Sequence, residues 1–350
     1  MKKLFLFMLM SCIVQSYAQT FDNQRLSNEI KTNFNSYFGA YLRPFTESFG
    51  AANGLMWQIP HKAGAKFNIN ISTFVTGSLL PDTYKSFDFN TLNKVNFELV
   101  NPNDNILPTL TGGQTTNTMR YFITDDNGNR LFDPIKNDYV TVDIDALEGL
   151  NLPIQITPAA GAQLGIWTPI HTGLALRYVP NTNIQETGQI GLLGIGVIHD
   201  IAGWFKLPLE IKAGFSYQKL DIAINNPIQD NPNPNKFTFN STSRSFDLTI
   251  GKYLWIIKPY LQISRITYSN ELLLSGRFTY DFEDFTGVPG PIRDQIKLDF
   301  QDPVDIKTNN TMINYGGGLF INLGIFYLQA QYMLGTFTNA GVAFGLKIGF

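Results

Sequence analysis

The sequence predicts an all-β fold, an antiparallel transmembrane β-barrel of about 14 strands (12–16), preceded by an N-terminal helical plug or hatch. Three observations carry this. At the carboxyl end, Val342, Phe344, Leu346, Ile348 and Phe350 alternate with Ala343, Gly345, Lys347 and Gly349. A period of two puts every large apolar side chain on one face of a strand. A soluble edge strand of this kind would aggregate, whereas a membrane barrel has lipid on one face and a lumen on the other. The same alternation recurs along the chain, and nothing after residue 18 approaches the ~20 apolar residues of a membrane helix. Finally, a hydrophobic content of 44% and a mean hydropathy of −0.05 look soluble, as they must when half of a barrel faces water, while 28 Phe and 15 Tyr can furnish aromatic girdles. A secreted β-sandwich shares the alternation but not the strand number or the terminal strand.

Residues 1–18 read as a signal peptide: a Met1-Lys2-Lys3 start, an apolar run at 4–14 too short to span a bilayer, and Ser16-Tyr17-Ala18 as a small-x-small cleavage site. Lipoprotein processing at Cys12 is the rival reading. Cleavage after Ala18 removes Cys12, the only cysteine, and with it disulfides, thiolate catalysis and cysteine metal sites. It also removes Lys2 and Lys3, leaving 24 basic against 28 acidic residues, net −4, a balance that does not point to nucleic acid.

Residues 19–62 are assigned to the plug. Leu26, Ile30, Phe34, Phe38, Leu42, Phe45 and Phe49 recur every three to four residues, the spacing of one helical face. Gly39 and Pro44 divide the run into two expected helices, 23–38 and 44–53, with Gly54 just past the second. Such a stripe needs a buried surface, and the lumen or its mouth is the natural host.

Residues 63–350 are assigned to the barrel, with 78–157 holding long-loop or lumen-filling segments. Twelve strands read clearly, near 66–77, 158–167, 171–179, 189–199, 208–220, 244–253, 259–268, 272–281, 295–300, 312–323, 325–335 and 341–350. Segments 119–124 and 139–145 make fourteen, and an even number places both chain ends in the periplasm. Tight turns at 167–170, 254–258 and 323–325 then fall on the periplasmic side, and the Asn/Pro-rich 225–236 falls outside. One connection disagrees: 281–294 is long yet lands in the periplasm, while Ser269-Asn270-Glu271 becomes a short outer loop.

Chemistry is sparse. His61, His171 and His199 lie far apart, without H-x-x-x-H or H-E-x-x-H spacing, and His199-Asp200 reads as the end of a strand. Asp125-Asp126-Asn127-Gly128-Asn129 lacks the alternate spacing and closing Glu of a calcium loop and reads as a hairpin turn. No G-x-S-x-G occurs. The expectation is a non-enzyme without cofactor or metal.

Tyr41-Leu42-Arg43-Pro44-Phe45 through Trp57, and more strongly 158–220 with Leu176-Arg177-Tyr178-Val179-Pro180, Gly194-Ile195-Gly196-Val197-Ile198-His199-Asp200-Ile201, Trp204 and Leu207-Pro208, resemble a Bacteroidota family of uncharacterised outer-membrane proteins. That family is distantly similar to FadL-type transporters of hydrophobic compounds, fourteen-stranded barrels closed by an amino-terminal hatch. The resemblance implies an outer-membrane channel or transporter for small hydrophobic compounds gated by its hatch. The alternative is a non-transporting barrel subunit or shuttle of an outer-membrane assembly such as a secretion translocon. The FadL-type Asn-Pro-Ala signature has no counterpart here, so no ligand contact is carried over.

The candidate apolar pocket is therefore taken from the residues themselves: Phe34, Phe38, Tyr41, Phe45, Phe49 and Trp57. Phe344, Leu346, Ile348 and Phe350 resemble a barrel-assembly signal. Expected partners are outer-membrane lipid, the barrel-assembly machinery and a small hydrophobic ligand.

Overall fold

Alternating side chains close this chain into a barrel whose polarity is the reverse of a soluble protein's. The computed structural model describes residues 22–60, 67–134, 136–151, 155–184, 188–205, 207–226, 233–281 and 297–349. Ten strands form the wall: β1 (Asn68–Leu79), β2 (Ile156–Trp167), β3 (Thr172–Ile184), β4 (Gly188–Asp200), β5 (Glu210–Asn225), β6 (Asn235–Gly251), β7 (Ile257–Asp281), β8 (Val304–Leu323), β9 (Phe326–Leu334) and β10 (Thr338–Gly349). Each pairs antiparallel with its neighbours in sequence, and β1 closes on β10 in the register Thr73↔Phe344 and Val75↔Val342. On β1, Ile69, Ile71 and Val75 are 41%, 59% and 53% exposed, whereas Asn68, Asn70, Ser72 and Thr76 are buried. On β5, Glu210, Lys212, Ser216 and Gln218 point inward and are buried. A sheet that hides its amides and shows its aliphatics is built for hydrocarbon outside.

The outward apolar band fits a bilayer. Phe326, Leu328, Tyr332 and Leu334 of β9 are exposed. They cover eight residue steps, about 27 Å along the strand, or about 21 Å along the membrane normal at a tilt near 40°. Among the described residues no helix is long and apolar enough to cross a membrane.

The barrel has ten strands, not fourteen, for three reasons. Expected strands 259–268 and 272–281 are one 25-residue strand, β7. Ser269-Asn270-Glu271 is not a turn, because Asn270 faces inward and its amide donates to the Thr46 carbonyl at 2.5 Å. Its polarity answers a helix carbonyl, not solvent at a loop. Expected strand 295–300 is Lys297–Gln301, which folds back on Arg277–Asp281 beyond the wall. Segments 119–124 and 139–145 lie in the insertion after β1, where Phe97–Leu99, Thr118–Phe122 and Thr141–Asp145 make a separate small sheet. With β7 continuous, its Asp281 end lies at the same end of the barrel as Leu79 of β1 and Asn225 of β5, and the conflict over that connection disappears. The ends of the barrel are thus a long-loop end and a tight-turn end.

Residues 23–53 form a single helix, α1 (Asn23–Asn53), with Pro44 inside it, instead of two helices. Asp22 caps the start by accepting from the Arg25 amide at 3.0 Å. Wall contacts on several sides hold the helix through the proline, which by itself would favour a break. One of these is Ser48, whose hydroxyl lies 2.5 Å from that of Thr157 on β2. The helix runs along the lumen. Its start lies at the long-loop end, where Arg25 donates to the Thr124 hydroxyl at 2.9 Å and Lys31 to the Gln301 carbonyl at 2.9 Å. Beyond its end, Ile59 packs with Trp167, Ala175 and Ile198 near the tight turns. The described chain therefore begins at the long-loop end; the chain end itself lies outside the described residues. The first strand does begin at the tight-turn end, but the plug reaches it by passing through the barrel.

Candidate functional site

Three faces of α1 meet three surroundings. Leu26, Ile30 and Tyr37 join Phe89, Phe97, Leu107, Met119, Tyr121 and Val142 of the insertion in one apolar core, so residues 80–151 cap the long-loop end. An Arg120–Asp143 fork, with both hydrogen bonds 2.7 Å long, ties two cap strands together; the guanidinium hydrogen bonds hold the Asp143 carboxyl below its usual range. The Asp125 carboxyl accepts from the Asn127 and Asn129 amides at 2.9 Å each, and these bonds lower its pKa. Gly128, with φ +86°, completes the turn.

A second face borders an apolar cavity of about 350 Å³ in the long-loop half. Phe34, Phe38 and Leu42 contribute from α1, Phe237 from β6, Leu272, Leu274 and Phe278 from β7, and Phe300 and Val304 follow it. A third face borders a polar cleft of about 860 Å³, with Asn28, Thr32, Asn35, Arg43 and Glu47 opposite Asp305 and Lys307. Arg43 and Tyr84 both donate to Glu47, at 3.2 and 2.7 Å.

The tight-turn half of the lumen is polar and shut off from solvent. The Asp247 carboxylate accepts from Ser245, Ser264 and Gln262 at 3.0, 2.5 and 3.0 Å. Lys212 and Lys258 share Glu210 at 2.9 Å each. Where the chain leaves α1, Trp57 sits on a floor cleared of side chains: a Cβ on Gly194 or on Gly196 would lie 2.8 Å from its ring. Arg177 of β3 covers it. Its guanidinium carbon lies 3.8 Å from the Trp57 ring centroid and 4.0 Å from that of Phe74. The same group donates to Gln163 (2.9 Å), Gln218 (3.0 Å) and the Leu55 carbonyl (2.8 Å). Arg177 is 0% exposed. A buried cation stacked on aromatics and forked to three acceptors is a strong seat for the plug.

The six expected pocket residues thus separate. Phe34 and Phe38 line the apolar cavity. Phe45 and Phe49 pack on Phe239, with ring centroids 5.2 and 5.4 Å away. Tyr41 stacks on Tyr37 and donates to the Glu148 carbonyl at 2.8 Å, on the cap side. Trp57 belongs to the Arg177 seat. Sequence reasoning did not single out Arg177 for a role, although its inward position in an alternating strand marks it as a lumen cation. His199 is the penultimate residue of β4, bonded to Thr172 and Trp204 at 2.9 Å each; His61 lies outside the described residues. Phe344, Leu346 and Ile348 face outward, and Phe350 lies outside the described residues.

Several solved structures are similar to this chain. The translocator domain of autotransporter NalP from Neisseria meningitidis shows 10% identity and a TM-score of 0.31, covering 88% of this chain and 94% of that one. The transport unit of autotransporter AIDA-I from Escherichia coli shows 9% identity and a TM-score of 0.27, over 88% and 99%. OpdQ from Pseudomonas aeruginosa shows 8% and 0.15, over 81% and 98%. Overlaps this low leave barrel size and activity to the chain's own ladder and side chains. No curated protein matches the sequence. Residues 1–350 match, from end to end, a family described as of unknown function (DUF6588), and the chain belongs to that family.

Proposed function

We propose that the protein is an outer-membrane barrel that takes up a small apolar compound at its outer half, with α1 as the gate. The orientation follows from loop length: short turns such as Gly324-Ile325 belong in the periplasm and long connections outside. The observation that carries the reading is the apolar cavity between α1 and β6–β7, which is walled by aromatic and aliphatic side chains. Passage onward is blocked by buried polar groups around Asp247, Glu210 and Arg177, so transfer requires the 54–60 segment to leave the wall. A ten-stranded barrel is narrower than a fourteen-stranded one, and a single helix suffices to plug it. Phe344, Leu346 and Ile348 on the closing strand are read with Phe350 as the barrel-assembly signal.

Binding of an environment-sensitive fluorescent fatty acid to the detergent-solubilised barrel tests the proposal. Phe38→Glu places a charge in the cavity and should abolish saturable binding. Saturable binding of equal affinity in the variant would sink the reading. One observation favours a second reading, a barrel subunit of a secretion-type assembly: α1 threads the lumen with its start at the outer end, packed against the cap. Stoichiometric partners co-purifying from native membranes would favour it over a lone transporter.

A further inference from the structure

The outer surface of the barrel changes character along one line. Reading outward-facing residues toward the long-loop end, β5 runs Phe215, Tyr217, Lys219; β6 runs Leu248, Phe246, Arg244; β7 runs Leu261, Ile263, Arg265. On each of these adjacent strands the first residue past the apolar band is a cation, and Lys219, Arg244 and Arg265 are all exposed. Elsewhere the same step meets a neutral residue, such as Thr311 on β8, Gly191 on β4 and Pro180 on β3.

Register sets the cations side by side. Lys219 lies opposite Thr242 and Arg244 opposite Tyr217, while Arg244 lies opposite Thr267 and Arg265 opposite Phe246. Each cation is thus the diagonal neighbour of the next, roughly 7–8 Å apart, which long side chains span easily. Lys219 is held by Asp221 at 2.9 Å. The Arg244 guanidinium lies 5.9 Å from the Tyr217 ring centroid. Three like charges in a row oppose one another, and a single carboxylate does not balance them. Their level, at the edge of the hydrocarbon band, is where lipid headgroup phosphates lie.

We propose that Lys219, Arg244 and Arg265 form a binding site for the phosphate groups of an outer-leaflet glycolipid, whose acyl chains lie along Phe215, Phe246 and Ile263. Two guanidinium forks match phosphate oxygens bidentately, and the aliphatic and aromatic residues below continue the contact into the bilayer. The inference rests on the orientation assigned above. Membrane-impermeant labelling of a Gly324→Cys variant in intact cells reports that orientation separately, and fatty-acid binding reports the cavity, so the failures are distinguishable.

Native mass spectrometry of the full barrel, purified from outer membranes and exchanged into lipid nanodiscs, tests the site. Wild type should retain phosphorylated glycolipid. Arg244→Gln/Arg265→Gln should bind it about thirtyfold more weakly, since each basic group near an anionic surface contributes roughly fivefold. Arg244→Lys/Arg265→Lys should keep most of the binding. Heat-modifiable gel migration checks closure of the variants, and Arg265→Gln alone serves if the double variant fails to close. Equal retention by wild type and the glutamine variants would overturn the proposal. Equal preference of wild type for phosphatidylglycerol would also overturn it, because the site would then answer to any anionic headgroup.

Discussion

Replacing Arg177 with alanine should unseat the plug from the wall. In the closed state the guanidinium meets the plug through one hydrogen bond, to the Leu55 carbonyl, and through the Trp57 ring, while Gln163, Gln218 and Phe74 hold it on the wall. Hydrogen bonds to a charged group contribute roughly 1.5–3 kcal/mol each, and a desolvated cation–π contact about 2 kcal/mol. These do not add, because they share one group. Burying the guanidinium costs several kcal/mol of hydration. The net contribution to seating is then about 2 kcal/mol, or about thirtyfold in the population of the unseated segment. The readout is thiol labelling. Cys12 is the only cysteine, so Ile59→Cys, at a site 1% exposed, reports opening of the 54–60 segment. Labelling by a small thiol reagent should accelerate about thirtyfold in the Arg177→Ala background, and less in Arg177→Lys, which keeps the charge but loses the fork. Equal labelling rates in the two backgrounds would refute the reasoning and leave Arg177 as a packing residue only.

Gly196→Val should expose the same reporter, since its Cβ would stand 2.8 Å from the Trp57 ring and overpacking costs about 1–3 kcal/mol; unchanged labelling would mean the seat can shift to accommodate it. Acid should loosen the cap. The Arg120 fork lowers the folded pKa of Asp143, so its stabilisation is present above the usual carboxylate value near 4 and fades as pH falls through the lowered one. This exposed pair contributes about 0.2–1 kcal/mol. Hydrogen exchange in Thr118–Phe122, corrected for intrinsic rates, should show that loss in wild type and not in Asp143→Asn. Phe344→Lys should destabilise the barrel by about 2–4 kcal/mol, as a charge on the lipid face near the midplane does, read as a lower urea midpoint for unfolding in liposomes.

Much of the wall was legible because a strand's side chains obey a strict period of two. Val342 to Ile348 and Leu209 to Gln218 announce their two faces without any partner strand being known. Strand number was not legible. Ser269-Asn270-Glu271 has the composition of a turn, yet Asn270 is an inward strand residue whose amide meets the Thr46 carbonyl, a partner more than two hundred residues away in the chain. Segments 119–124 and 139–145 likewise have strand composition, but composition does not say which sheet a strand joins, and Thr118–Phe122 and Thr141–Asp145 pair within the cap.

The plug shows the same division. Its helical stripe could be read from residues 26–49, but Pro44 and Gly39 signalled a break that the surrounding wall overrides. Of the six aromatic residues on that stretch, two reach the cavity, because α1 presents its faces to a cap, a cavity and a wall at once.

By itself the sequence determined a membrane barrel with a helical entrance, since hydrocarbon demands alternation on every lipid-facing strand and that demand is local. Only the tertiary structure decided that there are ten strands, that the helix descends the lumen from the long-loop end, and that Arg177 holds Trp57 against two glycines. Those outcomes depend on contacts between residues far apart along the chain, which no local period encodes.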